Sequence, residues 1–200
     1  MILGITGCPG SGKSVLAKTV ARYGWNLIDA DDIGREVVEG NSSIIEALAD
    51  AFGNDIIGQD GTLDRRLVAR RVFVSPEETA KLNSIVHPRL ISLLVERIEV
   101  LRVRNVRAVV DCALIFEWGI EDVFDLVVCV QAGHEFRIKR IMNRDGRTRE
   151  EIEGFYTAQL PEAEKVRRSD LVITNNGSLE RLEAFARLLS LLPDVMPGKR

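Results

Sequence analysis

Eight residues near the start of the chain have the types and the spacing of a phosphate-binding loop. Residues 7–14 read GCPGSGKS, which matches the pattern G-x-x-x-x-G-K-S. Glycines let the backbone turn its N–H groups toward an anion, and a following helix adds unpaired N–H donors and the positive end of its dipole. The motif therefore predicts that the chain binds a nucleoside triphosphate.

Two side chains of the motif can act on the nucleotide directly. Lys13 is expected to bridge the outer phosphates, and Ser14 to give a hydroxyl ligand to Mg²⁺. The alternative is a glycine-rich turn without a ligand. An apolar run at 2–6 and a helical pattern at 15–21 favour the binding loop, because such loops join a strand to a helix. The residues expected to contact ATP here are Gly7, Gly10, Ser11, Gly12, Lys13, Ser14 and Val15.

A run of acidic residues follows the second apolar segment, where residues 26–32 read NLIDADD. The carboxyl ends of parallel strands face the ligand crevice, so a carboxylate here would lie near the γ-phosphate. Asp31 is the candidate base that accepts or orients the proton of an attacking hydroxyl. Asp31 could instead cap a helix at 33–39, and the residues leave both interpretations open.

Residues 137–149 hold the one strong concentration of positive charge, with six lysines and arginines against one aspartate. Arg137, Arg140 and Arg144 recur on one face of a helix, and Gly146 follows as a hinge. Arginine binds phosphate oxygens in a bidentate manner, so the segment is interpreted as a mobile lid in which Arg140 and Arg144 hold phosphate charge. The alternative is a solvated face paired with Glu150, Glu151 and Glu153.

These features favour a small-molecule kinase among P-loop proteins. GTPase switches bind guanine through an N-K-x-D stretch, which is absent from the sequence. Asp111 ends a third apolar run and has two open interpretations: a ligand of Mg²⁺, or an acid that ends a strand or caps the next helix. A non-catalytic nucleotide-binding module stays as an alternative, but Asp31 and the arginine cluster argue against it.

Short apolar runs alternate with helical patterns, which predicts an α/β fold of three layers around a five-stranded parallel sheet. The strand candidates are residues 2–6, 26–29, 108–112, 126–130 and 171–174. Further helices are expected at 44–52 up to Gly53, from Ser75-Pro76, from Pro88 to Arg104, and at 179–192 up to Pro193. A loop tip is expected at 58–61.

These elements predict one P-loop kinase domain over residues 1–200. Its core is expected at 1–30, 107–135 and 170–193, with a helical substrate insertion at 31–106 and a lid region at 136–169. The insertion is longer than a crossover needs, which is typical of a substrate cover.

The composition limits partners and compartment. A net charge of −3 gives no overall basic field, so no nucleic-acid partner is expected. No apolar run has the length of a membrane span and no signal peptide precedes the first strand, so we expect no membrane association and a cytoplasmic protein. Cys112 and Cys129 are predicted to be small buried side chains, and Trp25 and Trp118 to lie in the core or at its edge. A monomer or a small homo-oligomer is expected.

Several segments, in one order along almost the whole chain, resemble dephospho-coenzyme A kinases. They are LIDAD at 27–31 followed by Arg35, DGTLDR at 60–65, LNSIVHP at 82–88, LIFEWG at 114–119, and the closing Gln159, Lys165, SD at 169–170 and ITNNG at 173–177. The sequence departs from the family pattern at Cys8-Pro9, where Gly-Ile is usual, at Ala113 for proline and at Ser169 for alanine.

The resemblance implies transfer of the γ-phosphoryl group of ATP to the 3′-hydroxyl of dephospho-coenzyme A, with Mg²⁺, on a P-loop kinase core with a helical CoA-binding insertion and a lid. Another small-molecule kinase is the closest alternative. Three side chains keep two interpretations each. His87 either contacts the acceptor substrate or is a helix cap or a buried group. Glu117 either forms a hydrogen bond with that substrate or caps the turn at Gly119. Asn175 either contacts the adenine of ATP or forms a turn.

Overall fold

The computed structural model describes residues 1–58, 61–72, 74–157 and 159–192, and for 155–157 the backbone alone. The chain divides into two compact units. One consists of Met1–Asp29 and Arg97–Arg200, and the other of Ala30–Glu96. In the described ranges, no helix combines the length and the apolar character that crossing a membrane requires.

The first unit is built on a parallel sheet of five strands, as predicted. The strands are β1 (Ile2–Thr6), β2 (Asn26–Asp29), β3 (Ala108–Asp111), β4 (Leu126–Gln131) and β5 (Leu171–Thr174). Their order across the sheet is β2-β3-β1-β4-β5. Because β1 pairs with β3 on one side and β4 on the other, the loop that follows β1 opens at the middle of the carboxyl edge, where α/β sheets bind ligands.

Helices occupy the connections between strands. In chain order they are α1 (Lys13–Ala21), α2 (Ala30–Glu39), α3 (Ser42–Phe52), α4 (Arg65–Val72), α5 (Pro76–Val103), α6 (His134–Asp145), α7 (Arg149–Thr157), α8 (Glu162–Arg168) and α9 (Leu179–Ser190), with single 3₁₀ turns at Asn54–Ile56 and Glu121–Val123. The predicted helix end at Pro193 lies outside the described residues.

Both faces of the sheet are covered, which confirms the three layers. On one face, side chains of β1, β3, β4 and β5 bury against α1 and α9. Trp25 belongs to this core, one of the two places that the sequence left open for it. On the other face Gly4 faces Ile115 and Phe124, and a Cβ at Gly4 would come within 2.9 Å of both side chains. The predicted burial of Cys112 and Cys129 is confirmed.

The second unit is helical, with one isolated antiparallel bridge between Ile57 and Leu63. Asn41 caps α3, because its Oδ1 accepts hydrogen bonds from the N–H groups of Ser43 and Ile44. The same helix ends at Gly53 with φ 100°, as its sequence predicts. Residues 59 and 60, part of the expected loop tip and of the DGTLDR segment, lie outside the described residues.

The predicted helix start at Pro88 is wrong, because α5 runs without interruption from Pro76 to Val103. Its predicted start is confirmed by Ser75, whose Oγ accepts from the N–H of Glu78 at 3.3 Å. Buried side chains continue at four-residue spacing on both sides of the proline, at Val86, Leu90, Leu94 and Ile98. One lost backbone hydrogen bond at Pro88 is outweighed by this continuous apolar face.

We expect Pro88→Ala to raise the free energy of unfolding by about 1–3 kcal/mol, because a proline inside a helix lacks an N–H and crowds the preceding turn. Urea unfolding measures the change. Pro76→Ala is the matched control, since Pro76 is the first residue of α5, a position that favours proline, and it should change stability little. Equal stability of Pro88→Ala and wild type would contradict a continuous, strained helix.

Candidate active site

The loop between β1 and α1 has the geometry of an anion site. Gly10 and Gly12 take φ values of 77° and 101°, a region that favours glycine, and the N–H of Ser11 donates to the carbonyl oxygen of Cys8 at 3.1 Å. Gly12 is the N-cap of α1 and gives no side-chain bond to the helix. The first N–H groups of α1 therefore keep their donor capacity for a ligand.

A cavity of about 250 Å³ lies against this loop. Its lining residues are Gly10, Gly12, Lys13, Ser14, Val15, Arg140, Ile141 and Arg144. The structure thus brings together five of the seven predicted nucleotide residues of the loop, without Gly7 and Ser11, and two arginines more than a hundred positions away. No ion pair joins Lys13 to a carboxylate within the described part of the chain, so its ammonium charge is available to a phosphate.

The cavity suits a Mg²⁺ that arrives with the nucleotide. Ser14 is in the lining and offers a hydroxyl. Among the described residues no group of three or more His, Cys, Asp or Glu side chains could hold a metal ion by itself. Mg²⁺ commonly combines a few protein ligands with phosphate oxygens and water, so the donor set fits this ion.

The three arginines on the predicted face of α6 have different environments. Arg137 is buried, and its Nη2 lies 3.8 Å from Oε2 of Glu162. Arg140 donates from Nη1 to the carbonyl oxygens of Gly10 and Ser11, both at 3.3 Å. Arg144 donates from Nε and Nη2 to the carboxylate of Asp145 at 2.7 and 2.8 Å, and its side chain is 71% exposed. Only Arg144 presents its guanidinium mainly to solvent.

The alternative interpretation, a solvated face paired with acidic residues, applies to Arg149 at the end of this segment and not to Arg137 or Arg140. Arg149 contacts Glu153 at 3.8 Å and also pairs with Glu135. Arg137 and Arg140 instead point toward the phosphate loop, and a Cβ at Gly10 would lie 2.7 Å from the carbonyl oxygen of Arg137. Helix α6 ends at Gly146 in the left-handed conformation, the glycine that the sequence predicts as a hinge.

Charge and burial shift several pKa values near the site. Burial raises the pKa of the Cys8 thiol, and the neighbouring Arg137 guanidinium opposes that shift. The hydrogen bonds from Arg144 lower the pKa of Asp145. Burial also raises the pKa of Cys129 to about 12. Both thiols are therefore protonated near neutral pH.

Asn175, the first residue after β5, is buried beside the loop. Its Nδ2 donates to the carbonyl oxygen of Ser11 at 2.7 Å, and its own carbonyl oxygen accepts from Nη2 of Arg140 at 2.9 Å. The carboxamide thus contacts the phosphate loop itself, a contact that neither sequence interpretation anticipated.

The acidic residues near the carboxyl edge of the sheet lie on different elements. Asp29 and Asp111 end neighbouring strands and are partners in the register of β2 and β3. Asp111 is buried and Asp29 half-buried. The suggestion that Asp31 caps a helix is wrong: α2 begins one residue earlier, at Ala30, so Asp31 is an exposed residue of its first turn, in the second unit.

His87 lies inside α5 rather than at a helix start, so the helix-cap alternative is wrong for it. Its side chain is half-buried, and burial lowers its pKa. The imidazole is therefore neutral near pH 7, suited to hydrogen bonding more than to holding a phosphate charge.

Glu117, which is half-buried, forms an ion pair with a fully buried lysine that the sequence did not predict. Its Oε1 accepts from Nζ of Lys165 at 2.6 Å and from the N–H of Leu160 at 2.9 Å. Lys165, fully buried, also donates to the carbonyl oxygen of Ala113, which accepts the hydroxyl of Thr6 as well. The pair ties the segment after β3 to α8 and to the end of β1. Both residues stood in the quoted motifs, but nothing in the sequence paired them.

Comparison with known proteins assigns the chain to a family. The family model for dephospho-CoA kinase matches residues 1–181. The chain belongs to the dephospho-CoA kinase family. The family reaction, phosphoryl transfer from ATP to dephospho-coenzyme A in the final step of coenzyme A biosynthesis, is accordingly its activity.

Relatives and solved structures agree with this family. The chain is 38% identical to the dephospho-CoA kinase of Corynebacterium glutamicum over 188 residues, 94% of each sequence. It is 36% identical to that of Geobacillus kaustophilus, over 96% of this chain and 95% of the other. The crystal structure of TT1252 from Thermus thermophilus is 35% identical with a TM-score of 0.77, over 99% of this chain and 98% of the other. A dephospho-CoA kinase structure from Campylobacter jejuni, 22% identical with a TM-score of 0.67 over 94% of each chain, shows the same fold.

The departures from the dephospho-CoA kinase pattern are accommodated locally. The carbonyl of Cys8 still closes the loop turn with Ser11. Ala113 contributes only its carbonyl oxygen to the Lys165 network, and Ser169 donates from Oγ to the carbonyl oxygen of Lys165 at 2.7 Å. None of the three changes removes a charged group from the cavity.

We expect Lys165→Met to lower the free energy of unfolding by about 3–5 kcal/mol, because it leaves the Glu117 carboxylate without its buried cation. Urea unfolding measures the loss. Adding Glu117→Gln should restore part of it, since the remaining side chain is neutral. Lys139→Met, at an exposed lysine of α6, is the matched control and should change little. Additive losses in the double variant would contradict a buried ion pair.

Proposed function

We propose that the phosphate loop holds ATP while Asp31 prepares the 3′-hydroxyl of dephospho-coenzyme A for attack. The cavity at the loop supports the proposed binding of ATP, because Lys13, Arg140 and Arg144 supply positive charge there beside the loop amides. The support for Asp31 is its place in the chain, two residues after β2 ends at Asp29. It is exposed and, in the first turn of α2, is not needed as the helix cap.

The proposed reaction moves one phosphoryl group. The 3′-oxygen forms a bond to the γ-phosphorus, the bond from that phosphorus to the β–γ bridging oxygen breaks, and the hydroxyl proton goes to Asp31. Transition states of this type are loose, so positioning and charge neutralisation carry most of the catalysis. Lys13 and the loop amides hold the phosphates. Mg²⁺, with Ser14 as a ligand, would neutralise charge on the β- and γ-oxygens.

Arg140 and Arg144 take different parts in this proposal. Arg140 lines the cavity while it is bonded to loop carbonyls, so its charge is fixed near the phosphates. Among the residues that the structure describes, Arg144 pairs with Asp145 alone, and such surface pairs contribute about 0–1 kcal/mol. Exchange of that carboxylate for a phosphate therefore costs little, as a closing lid requires.

Acceptor binding is assigned to the helical insertion 31–106, with His87, and to Glu117 in the core. The lid is assigned to 136–169. Three further statements remain predictions: contact of Asn175 with ATP, a cytoplasmic location, and a monomer or small homo-oligomer.

The deciding experiment is a coupled assay of ADP release with dephospho-coenzyme A as acceptor, with and without Mg²⁺. Release should require both. Asp31→Asn should lower kcat by about 10²–10⁴-fold, the range of a general base, with ATP affinity nearly unchanged. Asp32→Asn is the matched control, because Asp32 is already paired with Arg35, and it should keep most activity. Normal turnover by Asp31→Asn would remove Asp31 from the mechanism.

We expect Lys13→Ala to lose nucleotide binding and turnover together, because the loop lysine balances charge on the outer phosphates. Isothermal titration with ATP and Mg²⁺ measures the binding. Lys18→Ala removes an exposed lysine from the same helix and controls for net charge. Unchanged ATP affinity in Lys13→Ala would contradict the assignment of the loop.

A further inference from the structure

The Asn175 carboxamide is fixed in place by its own backbone. The N–H of Asn175 donates to the carbonyl oxygen of Gln131 at 2.8 Å, which continues the pairing of β4 and β5 by one residue. The residue is only 8% exposed. In the described structure this side chain donates to the carbonyl oxygen of Ser11 at 2.7 Å.

Arg140 closes a ring with these two groups. Its Nη1 donates to the same Ser11 carbonyl oxygen, and its Nη2 donates to the carbonyl oxygen of Asn175. The Ser11 oxygen thus receives two donors from different elements, one after β5 and one in α6. Two bonds from rigid elements fix the direction of that carbonyl more firmly than one would.

The direction of the Ser11 carbonyl decides the direction of the next N–H. In a trans peptide the C=O of one residue and the N–H of the next point to opposite sides. Holding the Ser11 carbonyl toward Asn175 therefore turns the Gly12 N–H away from Asn175. Gly12 lines the cavity, so its N–H is among those that a phosphate loop offers to an anion.

The contact also accounts for the glycine at 12. A Cβ on Gly12 would lie 2.4 Å from Nδ2 of Asn175, where no atom fits. The carboxamide and the loop glycine thus form one packed unit, and its packing leaves no space for a base between Asn175 and the loop.

We propose that Asn175 is a positioning residue for the phosphate loop, so that the polyphosphate of ATP, rather than its adenine, depends on this side chain. The proposal rests on the ATP site proposed above and extends it, because it assigns to Asn175 a role other than contact with the base.

The test compares two ligands that share phosphates and differ in the base. Isothermal titration measures binding of ATP and of inorganic tripolyphosphate, each with Mg²⁺, to wild type and to Asn175→Ala. We expect the affinity for both ligands to fall by the same factor, about tenfold, the size of one neutral hydrogen bond. The KM for ATP should rise, while the KM for dephospho-coenzyme A stays unchanged.

Controls separate this effect from general damage. Asn176→Ala is the matched variant: Asn176 is exposed and its Oδ1 accepts from the N–H of Gly133, so both affinities should stay near wild type. If Asn175→Ala does not fold, Asn175→Asp keeps the shape and replaces the donor with an acceptor, and the same parallel loss is expected.

Two results would overturn the proposal. A loss of ATP affinity with tripolyphosphate affinity intact would show that Asn175 contacts the adenosine. Unchanged affinity for both ligands would show that the loop does not need this bond. A wild-type chain that binds both ligands but does not phosphorylate dephospho-coenzyme A would instead refute the proposed function and leave this comparison valid.

Discussion

The site depends on one constraint: a loop that turns its N–H groups toward an anion must satisfy its carbonyl groups elsewhere. The phosphate loop has three glycines, which offer no side chains to pack. One of its carbonyl groups, that of Cys8, accepts a hydrogen bond from the Ser11 N–H within the loop. Two others are bonded from outside the loop, because Arg140 donates to Gly10 and Ser11, and Asn175 donates to Ser11. The fold around the loop therefore holds the donors in position before any phosphate binds.

This constraint explains why the arginines of α6 are not interchangeable. Arg137 and Arg140 lie on the side of the helix that meets the loop, and both are withdrawn from bulk solvent. Arg144, one turn further on, reaches the cavity from an exposed pair with Asp145. Although the chain has a net charge of −3, the positive charges of the bonded Arg140 and of the exposed Arg144 both lie at the cavity beside the loop.

A second buried charge supports the same edge of the sheet. Lys165 and Glu117 are 48 positions apart and meet through a 2.6 Å bond, while the Ala113 carbonyl joins Lys165 to Thr6 at the end of β1. A buried pair gains little stability over an apolar one, but it allows few alternative arrangements that leave both charges satisfied. Here that favours one placement of the segment after β3.

The sequence by itself determined the sheet, the phosphate loop and the family. The five strands follow from continuous apolar runs, because strands covered on both faces need apolar side chains on both. Periodicity could not show that α5 continues through Pro88, since that depends on whether burial along the whole helix outweighs one missing hydrogen bond. Only the tertiary structure decided the partners of Asn175, Arg140 and Lys165. Asn175 and Ser11 are 164 positions apart, and a hydrogen bond over that separation exists only once the strands have brought both segments to the same edge.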